Sequence, residues 1–394
     1  MTASESRYQA FLAERAHDGL ERSLTAVAAP EAREIRVEGR PYINFSSNDY
    51  LGLRFHAALI GRAMDWAEAY GVGAGASRLV TGNLDLFAPI EAKVARLKHK
   101  PAALVMASGF QTNAAVIQAL LDRTVLGAEP LVFADRLNHA SMHFGCQAAG
   151  VRQIRYRHGD ASHLGELLSQ YQGDSRPRFI LTESVFSMDG DVAPLADIAA
   201  LARAHEACLI VDDAHATGIL GEGGAGLSAE ADIVIGTFSK ALGSFGGFVA
   251  STETVRDYLV NRCAGLIYST ALPPPVLGAI DAALDVVPGM NVERAGVASL
   301  AERFRAGAEG AGLDTCTSTT QIVPVILGSA ETALAISLLL RQAGLWVTSI
   351  RPPTVPAGTA RLRLAFTAAH HESDIDRLLD VLSTADAPRR ARAM

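Results

Sequence analysis

Cysteine is scarce in this sequence, and its spacing excludes two common ways of stabilising a chain. There are four cysteines in 394 residues, Cys146, Cys208, Cys263 and Cys316. None are spaced as CxxC, and no paired set of Cys and His residues indicates zinc, so we predict no bound metal. Cys208 lies in the apolar segment ACLIVDD, where a small buried side chain is expected. A reducing, cytoplasmic compartment fits this usage best.

The sequence also lacks long apolar runs and an excess of positive charge. No apolar run approaches the roughly 18 residues of a membrane-spanning helix, and residues 1–20 show no apolar signal core. The 35 Lys and Arg residues are outnumbered by 42 Asp and Glu residues, which gives a net charge of −7. Because a phosphate backbone requires a basic surface, we expect no nucleic-acid partner. We expect no membrane partner either.

The sequence is rich in short apolar runs that alternate with helical stretches. Apolar residues make up 49% of the chain, and its 394 residues exceed what one hydrophobic core usually supports. The runs lie at 102–108, 131–135, 178–184, 207–213, 231–239 and 246–251. Runs that are apolar on both faces and separated by helices predict an α/β fold with a mostly parallel sheet.

Flanking segments predict further domains around this sheet. Helical spacing of apolar residues runs over 5–28, and EIRVEGRPYINF predicts two strands around a turn. We therefore expect an N-terminal helix and short strand segment over 1–45 and a large domain over 46–285. A smaller α+β domain over 286–385 and a disordered tail over 386–394 complete the expected organisation.

Polar residues follow the apolar runs, and two of these positions favour a specific chemistry. Asp212 ends one run, with His215 three residues later, and Lys240 follows the run that ends at Thr237 and Ser239. Alone, each has an ordinary reading as a helix cap, a loop residue or a structural histidine. GEGGAG, at 221–226, formally matches a dinucleotide motif but has no strand directly before it, so a plain loop is favoured.

Together, these residues suit pyridoxal phosphate (PLP). Its aldehyde needs a lysine amine, and its ring nitrogen needs a carboxylate. Its phosphate needs the N–H groups of a helix start, which SGFQTN at 108–113 would supply after a strand.

Seven motifs carry a resemblance to a known family. They are FSSNDYLGL (45–53), SGFQTN (108–113), DRLNHASM (135–142), TESVFSMDGD (182–191), DDAHATG (212–218), TFSKALGSFGG (237–247) and YSTALPP (268–274). They resemble the α-oxoamine synthase family of fold-type I PLP-dependent transferases. The resemblance covers about residues 42–370 and implies a mostly parallel seven-stranded sheet in the large domain. Within the family, residues 350–370 most resemble the branch that acts in biotin synthesis.

The resemblance implies a role for each matching residue. Lys240 would bind the cofactor covalently and act in catalysis with His139, which would stack on the ring. Asp212 would pair with the ring nitrogen. The implied contacts of the ring oxygen are Ser187 and His215, and those of the phosphate are Gly109, Phe110 and Thr237. Thr270 of a partner subunit would also contact the phosphate, in a homodimer whose active site lies at the interface.

The implied substrates are L-alanine and a pimeloyl thioester, carried by CoA or by an acyl carrier protein. The implied substrate-binding residues are Arg363 at the amino-acid carboxylate, and Asn48, Ser77 and Thr354 nearby. The family places an arginine near the end of the first helix for the distal acyl carboxylate. Here Glu21 takes that position and Arg22 is adjacent, so either Arg22 binds this carboxylate or the acyl pocket differs.

Several alternatives stay open at this point. A relative with the same chemistry would use glycine, serine or another acyl-CoA, whereas an aminotransferase or aldolase would use no thioester. A regulatory protein with this fold would need an appended DNA-binding segment, and no stretch here is long or basic enough. Arg78 in GASRLVTG is as well explained by a solvated loop as by a substrate contact.

Overall fold

The computed structural model describes residues 2–393, with the backbone alone for residues 3 and 385–393. Its strands are β1 (Glu34–Val37), β2 (Arg40–Asn44), β3 (Ala102–Met106), β4 (Leu131–Asp135), β5 (Gln153–Tyr156), β6 (Arg178–Glu183), β7 (Ala207–Asp212), β8 (Ile233–Thr237), β9 (Gly247–Ser251), β10 (Ile322–Gly328), β11 (Leu345–Trp346), β12 (Thr348–Ile350) and β13 (Ala360–Ala365). Its α-helices are α1 (Ala3–His17), α2 (Ala57–Tyr70), α3 (Phe87–Leu97), α4 (Gly109–Leu120), α5 (Arg123–Leu126), α6 (Ala140–Ala148), α7 (Ala161–Gln170), α8 (Leu195–Ala204), α9 (Glu253–Arg262), α10 (Ala264–Ile267), α11 (Pro274–Val286), α12 (Asn291–Gly310), α13 (Ala330–Gln342) and α14 (Glu372–Ala393).

The central feature is a seven-stranded sheet in the order β3-β9-β8-β7-β6-β4-β5. Six of its strands run parallel to one another, and β9 runs antiparallel between β8 and β3. The predicted α/β fold with a mostly parallel seven-stranded sheet is confirmed. Every residue of β3, β4, β8 and β9 is buried, as expected for strands covered on both faces.

Two details of the sheet differ from the sequence-based expectation. The run at 246–251 forms β9, whose antiparallel direction places its C-terminal end at the opposite edge from the other polar strand ends. The edge strand β5 was not expected, because its sequence QIRY is short and only partly apolar.

The N-terminal helix is shorter than predicted. It ends at His17 instead of continuing to residue 28, with Asp18 as its C-cap. Gly19 follows in a left-handed conformation with φ of 63°, which ends the helix. Ala28, expected at the helix end, instead forms an isolated antiparallel bridge with Arg36 of β1.

The chain forms two compact units, and one of them is discontinuous in sequence. The smaller unit comprises the chain up to Ser47, Met188–Gly190 and the chain from Gly296, and the larger comprises Asn48–Ser187 and Asp191–Ala295. The N-terminal segment therefore belongs with the C-terminal part of the chain. The domain boundaries near residues 45 and 285 stay predictions.

The smaller unit contains two three-stranded sheets, β1-β2-β11 and β10-β13-β12. Its hydrophobic core includes Phe45, Phe304 and Phe366. The backbone of α14 is helical to Ala393, where the sequence predicted a disordered tail over 386–394; Met394 lies outside the described residues. Among the described residues, no helix alone has the length and apolarity to cross a membrane. The pair Pro274–Gly289 and Asn291–Gly310 meets these criteria only together, with a bend of 76°.

Candidate active site

A cavity of about 220 Å³ lies in the larger unit, where strands β6, β7 and β8 end. Its lining residues are Ser108, Gly109, Phe110, Asn113, His139, Ser141, Glu183, Asp212, Ala214, His215, Ile235, Gly236, Thr237, Ser239 and Lys240. Seven of the predicted cofactor residues are among them, namely Gly109, Phe110, His139, Asp212, His215, Thr237 and Lys240. The parallel sheet brings these residues together because its strands end at the same edge.

Two donors hold the carboxylate of Asp212. The side-chain amide of Asn113, one turn into α4, donates to Asp212 Oδ2 at 2.6 Å. The backbone N–H of Ala214 donates to Oδ1 at 3.0 Å. Asp212 is only 7% exposed, so these two bonds fix the orientation of a buried acceptor.

The same asparagine also connects Asp212 to His139. Asn113 Nδ2 donates to Ser141 Oγ at 3.0 Å, and Ser141 Oγ lies 2.6 Å from His139 Nδ1. His139 is the N-cap of α6, and its Nδ1 accepts the backbone N–H of Ser141 at 3.3 Å. Since Nδ1 is an acceptor, the ring proton lies on Nε2. Burial lowers the pKa of His139, and Lys240 contributes in the same direction, against Asp212.

The other end of the cavity is suited to an anion. Helix α4 begins there at Gly109, and Ser108 Oγ caps it by accepting the N–H of Gln111 at 3.2 Å. The hydroxyls of Thr237 and Ser239 lie 2.7 Å apart beside it. A Cβ at Gly109 would come within 3.2 Å of Thr237 Cβ, so glycine keeps this end open. The first N–H groups of a helix have no partner inside the helix and attract anions.

Lys240 lies in a tight loop between β8 and β9. The N–H of Gly243 donates to Lys240 O at 2.9 Å, which closes a turn directly after the lysine. Gly243 has φ of 65°, and a Cβ there would be 2.6 Å from the backbone N of Arg54. The loop therefore packs against the short 3-10 helix Leu53–Phe55.

Glu183 is a cavity residue to which the sequence gave no role. It is 2% exposed and lies opposite Asp212 in the register of β6 and β7. Burial raises the pKa of the Glu183 carboxyl well above its usual range, and the charge of Asp212 adds to the effect. In the sequence, the available signal for Glu183 was its position at the end of the apolar run that forms β6. Asn113 gave a weaker one, since it lies four residues after Gly109, on the same helix face.

Four predicted residues of the larger unit do not line the cavity. Asn48 is one of them, and Tyr50 connects it to the cavity. Tyr50 Oη lies 3.2 Å from Asn48 Oδ1 and 2.7 Å from Nδ1 of the cavity residue His215. Ser77 and Thr270 form an isolated antiparallel bridge with each other.

Ser187, the fourth of these residues, lies in a loop that a bridge between Val185 and Val192 closes. Arg78, for which the sequence left two readings, is used within the protein. It donates to Asn83 at 2.7 Å, pairs with Glu91 and stacks over Phe87.

Three predicted substrate residues lie in the smaller unit. Arg22 Nη2 donates to Thr354 Oγ1 at 3.0 Å, so two residues predicted separately are in contact. Arg351 donates to the backbone carbonyls of Gly19 and Glu21, which ties the loop before Thr354 to the segment after α1. Arg363 is in β13, is 7% exposed and pairs in register with Thr348 of β12.

The chain matches known proteins over nearly its whole length. The family model for aminotransferase class I and II matches residues 40–382. The 8-amino-7-oxononanoate synthase of Gluconacetobacter diazotrophicus is 54% identical over 389 residues, covering 96% of this chain and 98% of the relative. That of Geobacter sulfurreducens is 45% identical, covering 93% and 94%.

Solved structures agree with this assignment. A serine palmitoyltransferase from S. paucimobilis, solved with PLP and myriocin, has a TM-score of 0.91 at 28% identity and covers 99% of each chain. An 8-amino-7-oxononanoate synthase from Francisella tularensis has a TM-score of 0.76 at 26% identity and covers 90% of this chain and 99% of that one. This chain therefore belongs to the aminotransferase class I and II family and, within it, to the 8-amino-7-oxononanoate synthases.

Proposed function

We propose that this protein is a PLP-dependent 8-amino-7-oxononanoate synthase. It condenses L-alanine with a pimeloyl thioester, and carbon dioxide and the free thiol leave. The observation that carries the proposal is the convergence of Lys240, Asp212 and His139 on one cavity that also contains the start of α4. The choice of substrates is supported by the names of relatives that are 45% and 54% identical.

The cavity residues fit PLP by their chemistry. Lys240 offers an amine, Asp212 a carboxylate, and Thr237 with Ser239 two hydroxyls beside a helix N-terminus. The absence of a Cβ at Gly109 leaves space at this anion-binding end. When bound, PLP supplies an aldehyde that bonds to amines and a ring that accepts the electron pair released at the substrate Cα.

Lys240 performs the proton transfers in this proposal. Its amine first holds the cofactor, and then acts as the base that removes the Cα proton of L-alanine. Asp212, held by Asn113 and by the N–H of Ala214, would accept a hydrogen bond from the ring nitrogen of PLP. The carbon nucleophile displaces the thiolate from the pimeloyl carbonyl, and the thiolate takes a proton from water. The alanine carboxylate leaves as carbon dioxide, and Lys240 returns a proton to the carbon.

The remaining predicted residues bind the rest of the substrates and cofactor. We propose that Ser187 and His215 donate to the ring oxygen and that Asn48 and Ser77 lie near the substrates. In the smaller unit, Arg363 would pair with the alanine carboxylate, because a guanidinium binds a planar anion through two N–H groups.

Arg22 is proposed to bind the distal carboxylate of the pimeloyl chain, with Thr354 orienting it. The hydrogen bond between these two side chains supports this assignment. A thioester that lacks the distal carboxylate should then be a poor substrate.

A homodimer completes the proposed site, with Thr270 of the partner subunit at the phosphate. Thr270 is exposed, and Tyr268 beside it is 84% exposed. Leu79 and Val80, close to Ser77 in the bridge to Thr270, are 54% and 74% exposed. Such apolar exposure is typical of a protein interface. An acyl carrier protein as thioester donor and a cytoplasmic location stay predictions.

The test is a substrate panel with purified protein and added PLP. L-Alanine, glycine and L-serine are each combined with pimeloyl-CoA, pimeloyl carrier protein, acetyl-CoA or heptanoyl-CoA, which lacks the distal carboxylate. Free thiol and carbon dioxide are measured together. We expect equimolar release of both only with L-alanine and a pimeloyl thioester.

Other outcomes would assign the protein elsewhere. Thiol release with glycine or L-serine but not with L-alanine would indicate a different oxoamine synthase. Conversion of an amino acid without thiol release would indicate an aminotransferase or an aldolase. Equal rates with heptanoyl-CoA would contradict the role of Arg22.

A further inference from the structure

His158 forms hydrogen bonds to two carboxylates at once. Its Nδ1 lies 3.0 Å from Asp135 Oδ1, and its Nε2 lies 2.9 Å from Asp191 Oδ2. A neutral imidazole has one N–H donor, so bonding both carboxylates requires the protonated ring. Burial alone lowers the pKa of His158, but the hydrogen bonds and charges of Asp135 and Asp191 outweigh it and raise the pKa to about 10. His158 is therefore an imidazolium at neutral pH.

The first aspartate belongs to the segment that carries His139. Asp135 ends β4, and its Oδ1 accepts the N–H of Leu137 at 2.9 Å. Its backbone carbonyl accepts the N–H of Asn138 at 3.2 Å. These bonds shape the turn that ends at His139, the N-cap of α6 and a cavity residue.

The second aspartate belongs to the loop that carries Ser187. The backbone carbonyl of Asp191 accepts the N–H of Phe186 at 3.1 Å, which closes this loop beside the Val185–Val192 bridge. The ring of Phe186 also meets His158 edge to face, with centroids 4.3 Å apart. His158 thus contacts this loop through a charged bond and through an aromatic ring.

We infer that His158 is a positioning residue, which fixes the segment of His139 and the segment of Ser187 relative to each other. His158 does not line the cavity, so it acts through Asp135 and Asp191. The importance of this arrangement for cofactor binding rests on the proposed function. Partly buried ion pairs often add little net stability, and one of their uses is to select a single conformation.

The variant His158→Gln tests the inference, because it removes the positive charge between the two carboxylates and carries its N–H donors on one nitrogen instead of on two separate ring positions. His163→Gln is the matched control. His163 belongs to the next helix, is also half-buried, and accepts one hydrogen bond from the N–H of Arg157 at 2.9 Å. It contacts the loop of His158 through Arg157 but, in the part of the chain that the structure describes, its side chain forms no hydrogen bond to Asp135 or Asp191. Asp191→Asn is a milder second variant that removes one charge.

Two measurements separate positioning from general stability. The first is hydrogen–deuterium exchange of the apoprotein, and we expect faster exchange in 135–139 and 185–192 for His158→Gln but not for His163→Gln. The second is the affinity for PLP, measured together with a pH titration of the absorbance band of the bound cofactor, which gives a midpoint pH. We expect about tenfold weaker binding, equivalent to about 1.4 kcal/mol, and a shifted midpoint. Asp191→Asn should change the exchange rates and the PLP binding in the same direction as His158→Gln, but by a smaller amount.

Each failure has its own meaning. If both segments exchange in His158→Gln as they do in His163→Gln, the inference is wrong, even if the melting temperature falls. If His158→Gln does not fold, the same comparison made with Asp191→Asn decides. If the wild-type protein binds no PLP, the proposed function fails, and the exchange measurement still decides whether His158 fixes the two segments.

Discussion

Two lysines near Asp212, Lys98 and Lys240, lie in different surroundings. Lys98 is almost fully buried and donates to Asp213 at 2.7 Å, to Thr217 at 2.6 Å and to Ala225 O at 2.7 Å. All three of its N–H groups are thereby used to hold the loop after Asp212, which gives Lys98 a structural role. Lys240 lines the cavity instead, in a loop whose turn follows it directly. Position, and not residue type, distinguishes the proposed reactive amine.

At the residue scale, we predict that Lys240→Ala abolishes covalent cofactor attachment. Borohydride reduction of the wild-type protein with PLP should add the cofactor mass to the peptide that contains Lys240. The variant should show no added mass there, and thiol release should fall by about 10²–10⁴-fold, the usual contribution of one positioned proton-transfer group.

Lys100→Ala serves as the control for this experiment. Lys100 donates to Ala229 O at 3.0 Å and does not line the cavity. It should keep both the labelled peptide and the activity. Normal turnover in Lys240→Ala would contradict the assignment of Lys240.

Single residues of the cavity could be predicted only where the sequence pattern was distinctive. Lys240, Asp212 and His215 lie in recognisable segments, and the cavity contains all three. Asn113 was not predicted, because its weak sequence signal, a position four residues after Gly109, does not show what its side chain contacts. Its importance arises only when α4, β7 and the start of α6 meet, which allows its amide to donate to Asp212 and Ser141.

Among the elements, strands with continuous apolar sequence were predictable, and the edge strand β5 was not. The runs that form β3, β4 and β8 need no polar face, since helices cover both sides of the sheet. β5 is half-exposed and carries Gln153 and Arg155, so its sequence resembles a loop. The direction of β9 depends on pairing with β3 and β8, which the apolar pattern does not encode.

At the element scale, we predict that Gly243→Ala destabilises the loop of Lys240. A left-handed φ of 65° costs a residue with a Cβ about 1–2 kcal/mol. The added Cβ would also lie 2.6 Å from the backbone of Leu53 and Arg54, so the loop must move. Urea unfolding should show a loss of at least this size, and PLP binding should weaken.

Gly296→Ala is the control for the glycine experiment. Gly296 is an exposed residue inside α12, and a Cβ there meets nothing within 4 Å. It should raise stability by about 0.5–1 kcal/mol, because alanine favours a helix interior over glycine. An unchanged unfolding midpoint for Gly243→Ala would show that the loop is not held as described.

At the scale of the whole molecule, pairing between distant segments was the part that the sequence concealed. The β11 strand pairs with β2, joining Leu345 to Ile43 and Trp346 to Asn44. Phe45 packs in the same core as Phe304 and Phe366. Such contacts depend on the whole fold, so a local reading of residues 1–45 does not show that they pair with the C-terminal part of the chain.

The proposed dimer leads to a prediction about mixed subunits. Thr270→Val removes one hydroxyl from the proposed phosphate site and should weaken activity about 10–100-fold, given about 1.5–3 kcal/mol for a hydrogen bond to a charged group. If Thr270 acts on the partner's site, a heterodimer of Lys240→Ala with Thr270→Val contains one fully intact site. Two different affinity tags isolate this heterodimer, and its thiol release should be about half that of the wild-type dimer, since one of its two sites is intact.

The matched control places both substitutions in the same subunit, paired with a wild-type subunit. The site with Lys240 then lacks the hydroxyl of its partner, and the other site lacks the lysine, so activity should be about 10–100-fold lower than in the first heterodimer. If Thr270 instead serves its own subunit, the order of the two heterodimers reverses, because only the control then keeps an intact site. The exposure of Thr270 and of Tyr268 beside it favours the first order.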